Sequence, residues 1–226
     1  QRRLRLGVAL LIIMGLSGLW AGEKWIPNPT MHLLGVTWVI ISMKILYGFA
    51  LDVHHWGWLD ASPLGADLSL GIFLLVLIGF NILIAQRHDD DAIAAQATLV
   101  LLALGSAAGA LYDELGVAGM ILLGTLSMHG LALHRKSGNL ASLGIAVSYL
   151  WIGLHAFSND WTIVNIKIVS FDDDLLLFML MFAVTATNAV MATQFHKADN
   201  WFSAAAKALG LGKPGLWAIS VGLGMI

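Results

Sequence analysis

The 226-residue chain contains no cysteine, which excludes disulfides, thiolate metal sites and cysteine nucleophiles. Charge is scarce as well, because Asp, Glu, Lys and Arg make up only 12% of the residues, whereas soluble domains usually carry about 25%. The net charge of −2, without any basic stripe, gives no sign of nucleic-acid binding. Phosphate-binding loops, HExxH metal sites and paired intramembrane carboxylates are also missing. The sequence therefore favours a non-enzymatic protein.

Hydrophobic residues make up 58% of the chain and are concentrated in long runs. The clearest pair lies between Asp67 and Glu114, where two apolar segments flank the charged tip QRHDDD. Each segment has about 18 to 20 residues, which is enough for a helix to cross a hydrocarbon core. We therefore predict an all-α integral membrane protein with seven transmembrane helices and a broken or incomplete eighth. Its first partner is then the lipid bilayer.

The predicted helices pair into tandem hairpins, at about residues 4–51, 66–114, 115–157 and 174–226. Aligning the hairpin tips places Arg87 over Arg135 and Gln194, and a polar residue stands six positions earlier each time. These residues are Asn81, His129 and Asn188. The pattern predicts parallel repeats of one unit within a single transmembrane domain. Residues 161–171 interrupt it with β-branched, alternating sequence, which favours an extended segment outside the membrane.

Basic residues at the predicted tips indicate the orientation of the chain. Arg87, Arg135, Lys136 and Lys197 lie at tips, whereas the opposite ends are acidic. The positive-inside rule then predicts cytoplasmic tips, and we expect a prokaryotic cell membrane. The arginines at positions 2, 3 and 5 conflict with this orientation. Either the first span does not cross fully or the chain is a fragment of a longer protein, as its ends also lead us to expect.

Lys44 stands near the middle of the second predicted span, and no Asp or Glu lies inside a neighbouring span. A charge at that depth costs several kcal/mol unless it is paired, neutral or hydrated. One interpretation is a substrate, anion or proton site in a water-filled cavity. The other is a lysine that reaches toward Asp52 or pairs with a residue outside this sequence.

The layer of Asn81, His129 and Asn188 allows two interpretations as well. The three residues would lie at one depth, roughly 9 Å from the tips at 1.5 Å per residue. They form either a polar ring along a shared pathway or separate interhelical hydrogen bonds, each worth about 1 kcal/mol or less.

Histidines give two weaker candidates. Asp52, His54 and His55 form a candidate divalent-metal site, although adjacent histidines point in different directions. His32, His129 and His155 lie in predicted spans, and transmembrane haem or chlorophyll uses such ligands. His32 and His129 both lie toward the tips, whereas His155 lies at the opposite end. We predict no cofactor, and a haem or pigment stays an alternative.

Small residues predict two surfaces of close helix packing. Gly15-Leu16-Ser17-Gly18 resembles the GxSG nucleophile motif of rhomboid intramembrane proteases over four residues. A partner histidine in a later small-residue helix is not recognisable, so the four residues indicate packing instead. Gly105 and Gly109 form a GxxxG face that predicts a central fourth span.

The leading functional prediction is transport or permeation of a small solute, lined by Lys44 and the Asn81, His129 and Asn188 layer. One alternative is a non-catalytic structural subunit that binds other membrane subunits or further parts of the same chain. The second alternative is a histidine-ligated haem or pigment-binding subunit.

Overall fold

A computed structural model describes residues 2–60, 62–109, 113–159, 161–163, 166–210, 212 and 215–224. Side chains are described for all of these except residues 2–6, 67, 104–109, 161–163, 166, 167, 219 and 223. The helices of the described chain are α1 (Arg2–Trp25), α2 (His32–His55), α3 (Ala66–His88), α4 (Asp91–Gly109), α5 (Glu114–Arg135), α6 (Gly138–Ala156), α7 (Asp174–Gln194), α8 (Trp201–Ala208) and α9 (Leu216–Gly224). The strands are β1 (Trp161–Ile163) and β2 (Ile166–Ile168), which pair antiparallel.

Six of these helices are long and apolar enough to cross a membrane: α1, α2, α3, α5, α6 and α7. The fourth predicted span corresponds to α4, whose side chains are described only as far as Ala103, and this described part is too short to span a membrane. The incomplete eighth corresponds to α9, which has nine residues. The helical class, with six helices that could span a membrane, is confirmed, and membrane insertion and the count of seven spans plus an eighth stay predictions.

The chain forms two compact units, Gln1–Ala97 and Thr98–Ile226, and α4 runs across the boundary. In the first unit α2 packs against both α1 and α3. Glycines let α1 and α2 approach closely. A Cβ atom on Gly22 would lie 2.9 Å from the carbonyl oxygen of Gly35 and 3.0 Å from the amide nitrogen of Val39. Backbone atoms cannot move aside as a flexible side chain can, so this crossing requires a residue without a Cβ atom.

The GxSG residues belong to the same crossing. A Cβ atom on Gly18 would collide with the hydroxyl oxygen of Ser42, and one on Gly15 would lie 2.8 Å from the side chain of Leu46. Both partners are on α2. The packing interpretation of Gly15 and Gly18 is therefore confirmed.

In the second unit α5, α6 and α7 all contact one another, and α9 packs against α6 and α7. Their shared core is aliphatic and consists of Val117, Ala118, Ile121, Ile152, Leu180 and Val184. Burying these side chains is worth roughly 25 cal/mol per Å² where water is the alternative, but lipid offers no such gain. Within a membrane, close packing and interhelical hydrogen bonds must therefore supply most of the association energy.

The two strands lie between α6 and α7. The side-chain hydroxyl of Ser158 donates to the carbonyl oxygen of Ile168 at 2.5 Å, which ties β2 to the end of α6. Asp173 is the N-cap of α7 and accepts from the amides of Leu175 and Leu176 at 2.9 and 3.1 Å. Aspartate is favourable there because it satisfies amides that have no partner within the helix and complements the helix dipole.

Candidate functional site: buried polar contacts between helices

The candidate polar layer consists of buried side chains that hydrogen-bond to other helices. Asn81 lies in the first unit, and His129 and Asn188 lie in the second. Each of the three is at most 3% exposed. A buried amide or imidazole without a hydrogen bond costs several kcal/mol in an apolar medium, so the partners of these groups decide what the layer does.

His129 on α5 and Asn188 on α7 contact each other directly. Nε2 of His129 lies 2.7 Å from Oδ1 of Asn188. Nδ2 of Asn188 donates to the hydroxyl oxygen of Ser148 on α6 at 3.0 Å, and Ser148 donates to the carbonyl oxygen of Ile145 at 3.0 Å. Because an amide oxygen only accepts, His129 carries its proton on Nε2 in this arrangement. The network joins one polar side chain from each of three helices.

A glycine makes room for the imidazole. A Cβ atom on Gly144 of α6 would lie 3.0 Å from both Cε1 and Nδ1 of His129. Nδ1 is buried and has no hydrogen-bond partner among the described residues. The ring thus faces α6 with its unpaired nitrogen and α7 with its paired one.

Two contacts show that α5 and α7 run parallel and in register. Near their N-terminal ends, the Glu114 carboxylate accepts from the amides of Asp172 and Asp173 at 3.0 and 3.1 Å, across 58 and 59 residues. Toward their C-terminal ends, His129 meets Asn188, also 59 residues apart. An antiparallel pair would give offsets that change along the helices, whereas the offset here is constant. His129 and Asn188 are therefore at the same depth along their helices.

Asn81 occupies a similar position in the first unit. Its Nδ2 on α3 donates to Oε1 of Gln96 on α4 and lies 3.5 Å from the hydroxyl oxygen of Tyr47 on α2. Its Oδ1 is buried and has no partner in the described part of the chain. Asn81 thus connects polar groups of three helices, as Asn188 does in the second unit.

Charged residues gather where the helix ends of the first unit meet. Arg87 Nη1 lies 2.6 Å from Oε1 of Glu23, and Nε2 of His88 lies 3.6 Å from the same oxygen. His32 Nε2 lies 3.2 Å from Oδ2 of Asp90. These pairs connect the end of α1 with the end of α3, and the start of α2 with the turn before α4. Exposed pairs of this kind contribute about 0 to 1 kcal/mol each, so they orient the tips more than they stabilise the fold.

Lys44 lies on the exposed face of α2, in the middle of that helix. Its neighbours Met43 and Tyr47 are buried. The role of Lys44 as a pathway lining stays a prediction, and the structure adds that this side chain points away from the core of its own unit.

The three span histidines differ in which ring nitrogen is available. His32 has both nitrogens occupied, by the carbonyl oxygen of Ile26 and by Asp90, and His129 has Nε2 occupied by Asn188. His155 bonds through Nδ1 to the carbonyl oxygen of Val169 at 2.8 Å, and its buried Nε2 has no partner among the described residues. Metal-binding histidines commonly hold their second nitrogen in this way. His129 and His155 therefore each have one ring nitrogen held by a hydrogen bond and a second, buried nitrogen without a partner among the described residues, and a haem or pigment at either stays a prediction.

Asp52 and His55 are exposed at the end of α2, with His54 partly buried between them. Within the described residues, no group of three or more His, Asp or Glu side chains lies close enough to hold a metal ion. The metal site at Asp52, His54 and His55 thus gains no further ligand from the described fold and stays a prediction.

Of the predicted GxxxG face, Gly105 and Gly109 belong to α4, but the side chains around them lie outside the described part of the chain.

A groove of about 390 Å³ lies between α5 and α7 beside His129. Its walls are almost entirely apolar, with Leu126 and Leu133 on α5 and Val190 and Met191 on α7. Its two polar lining residues already have partners within the helices, because Thr187 donates to the carbonyl oxygen of Val184 and His129 bonds to Asn188. The groove fits an apolar molecule.

The fold and these contacts define a helical protein with six candidate membrane-spanning helices, held together by small residues and buried polar pairs. No protein-family model matches the chain, and neither a curated protein nor a solved structure shows significant similarity to it.

Proposed function

We propose that this chain is a polytopic integral membrane protein and a non-catalytic structural subunit of a larger membrane complex. The observation that carries the proposal is the hydrogen bonding of the buried layer. The side-chain amide of Asn188 hydrogen-bonds to His129 and Ser148, and that of Asn81 donates to Gln96. Groups that line a polar pathway need to face water or solute, whereas these groups face other helices. Their arrangement supports a role in holding helices together.

The exposed surface supports the same proposal. Large apolar side chains cover the outer faces of the six long helices, which suits lipid or protein neighbours. Lys44 stands among them on α2. A lone charge at that depth is costly against lipid, so a protein neighbour on this face is the favourable arrangement. By the positive-inside rule, the tips with Arg87, Arg135, Lys136 and Lys197 would face the cytoplasm.

Water access to the buried layer tests the structural part of this proposal. Because the natural chain has no cysteine, a single Ser148→Cys substitution in the network can be probed with a water-soluble maleimide in membrane vesicles. We expect no labelling of the folded chain and full labelling after denaturation. Lys197→Cys, at an exposed tip position, is the labelling control. Labelling of position 148 in the native chain would indicate a hydrated pathway and contradict the proposal.

The size and composition of the extracted particle test whether the chain is a subunit of a larger complex. The tagged full chain, extracted from its own membranes in mild detergent, should elute as a particle larger than the chain and its detergent, with other subunits in fixed stoichiometry. A chain that elutes only as a monomer or homo-oligomer would contradict the subunit role.

The groove beside His129 favours a second candidate function, the permeation of a small apolar solute. Gly130 opens onto this groove, and a Cβ atom there would meet nothing within 4 Å. Gly130→Trp should therefore fill the groove without unfolding the chain. A fall in solute flux through vesicles containing this variant, with unchanged thermal stability, would support permeation; unchanged flux would exclude this groove as the route.

A further inference from the structure

We propose that the Lys44 face of α2 binds a membrane-spanning helix of another chain that carries an Asp or Glu near its midpoint. This inference rests on the proposed subunit function and names the chemistry of one partner. It starts from the position of Lys44, which is residue 13 of the 24 in α2. At 1.5 Å per residue, Lys44 is about 17 Å from either end of the helix, close to the middle of a hydrocarbon core about 30 Å thick.

This face of α2 is the one that its own unit leaves uncovered. Val39, Met43 and Ala50 are fully buried where α2 packs against α1 and α3. On the outside, residues spaced by three or four positions form one continuous stripe. The stripe consists of Leu33, Thr37, Ile41, Lys44, Gly48 and Leu51. Lys44 is its only charged member.

Among the described helices, none carries an Asp or Glu near its midpoint. On α1 the only acidic residue is Glu23, close to the helix end, and on α2 it is Asp52, in the last turn. On α3 the only one is Asp67, at the start. The remaining Asp and Glu residues that the structure describes also lie at helix ends or between helices. A partner helix with a central carboxylate would supply the counter-charge of Lys44, whereas a second copy of this chain would bring another lysine.

Gly48 adds a second, steric argument. It lies one turn beyond Lys44 on the same stripe, and a Cβ atom there would meet nothing within 4 Å. Small residues on an outer helix face let a second helix approach closely, which shortens the distance over which an ion pair must form. Thr37, two turns before Lys44, already donates its hydroxyl to the carbonyl oxygen of Leu33 and thus presents no unpaired group to the partner. Charge and shape therefore point to a helix.

The direct test uses a defined probe. The full chain is reconstituted in phosphatidylcholine vesicles with a synthetic 24-residue leucine-rich helix that carries one central Asp, and association is measured by energy transfer. A matched helix with a central Leu is the reference. We expect the Asp helix to bind at least about tenfold more tightly, because pairing removes the cost of two isolated charges. Equal binding of the two helices would overturn the proposal.

Variants of Lys44 distinguish an ion pair with the Asp helix from nonspecific helix association. Lys44→Met should reduce binding of the Asp helix to the level of the Leu helix, and Lys44→Arg should retain it. Lys24→Met, at the tip of α1, is the matched control and should change nothing. Lys44→Asp combined with a probe that carries a central Lys should restore binding. Unchanged binding by Lys44→Met at unchanged thermal stability would contradict the pairing.

The native assembly distinguishes this inference from the proposed function. If the extracted chain is a subunit of a larger particle and Lys44→Met leaves that particle intact, the inference fails and the proposed function stands. If the chain is extracted from its membranes without other subunits but binds the Asp helix through Lys44, the proposed function fails. The inference that the Lys44 face binds an acidic helix then stands. Labelling of Lys44→Cys by a water-soluble maleimide in the native particle would also overturn the inference, because the position would then face water.

Discussion

At the scale of single residues, Asn188 shows how one amide can serve two helices. Its oxygen meets His129 on α5, and its nitrogen donates to Ser148 on α6. In an apolar surrounding, the loss of this amide leaves the buried imidazole of His129 without a partner, while Ser148 keeps its bond to the carbonyl oxygen of Ile145. Removing both polar partners at once leaves fewer unsatisfied groups than removing one, so the two substitutions should not be additive.

A double-mutant cycle on His129 and Asn188 tests this expectation. Asn188→Leu alone should lower the free energy of unfolding by about 1 to 3 kcal/mol, because His129 is left buried and unsatisfied. The coupling energy between His129→Leu and Asn188→Leu should be about 0.6 kcal/mol and at most about 1.7 kcal/mol. Unfolding in mixed micelles with increasing denaturing detergent measures all four variants. Thr193→Val, at an exposed residue of α7, is the control. Strict additivity would show that the pair does not interact.

At the scale of helices, glycine positions decide which pairs can pack closely. The crossing of α1 and α2 brings Gly22 against the backbone of Gly35 and Val39. Gly18 and Gly22 are four residues apart and form a GxxxG pair. The sequence contains this signal, but the more obvious candidates were Gly105 and Gly109. A GxxxG spacing identifies a surface and does not identify its partner, since the partner depends on which helices the fold brings together.

Replacing Gly22 tests the α1–α2 crossing. Gly22→Leu should lower the free energy of unfolding by about 1 to 3 kcal/mol, because the new side chain meets backbone atoms that cannot move aside. Gly7→Leu on the same helix is the matched control, since a Cβ atom at position 7 would meet nothing within 4 Å. Thermal unfolding of both variants in one detergent gives the comparison. Equal stability of the two variants would contradict the close crossing.

The positions of the helices follow from the sequence, whereas the contacts between them do not, for a physical reason. Runs of apolar residues bounded by charged tips predict helix positions directly, and α3, α5 and α7 end within a few residues of Arg87, Arg135 and Gln194 as the tip alignment implies. Partners such as Ser148 and Gln96 were not predicted, because a serine or glutamine within a helix carries no signal of what it faces. The constant offset of 58 to 59 residues between α5 and α7 agrees with the predicted repeat spacing, while the repeat itself stays a prediction.

At the scale of the whole molecule, the distribution of charge gives each helix a direction. In the second unit, the basic residues Arg135, Lys136 and Lys197 follow the C-terminal ends of α5 and α7. The acidic residues Asp113, Glu114 and Asp172 to Asp174 lie at the opposite ends of the same helices. Because α5 and α7 are parallel, both basic ends fall on one side, and α6 returns between them. If these helices cross a bilayer, one face of the unit is basic and the other is acidic.

This charge separation predicts the topology of α7. Because the sequence contains no cysteine, single introduced cysteines can test the prediction directly. Single substitutions Lys197→Cys, beyond α7, and Asn159→Cys, beyond α6, are both at exposed positions. In intact cells, a membrane-impermeant maleimide should label position 159 and leave position 197 unlabelled until the membrane is opened, because basic loops are retained in the cytoplasm. Asn159→Cys also serves as the control that the reagent reaches the outer face. Labelling of both positions in intact cells would mean that α7 does not cross the membrane, and labelling of position 197 alone would reverse the orientation while preserving the crossing.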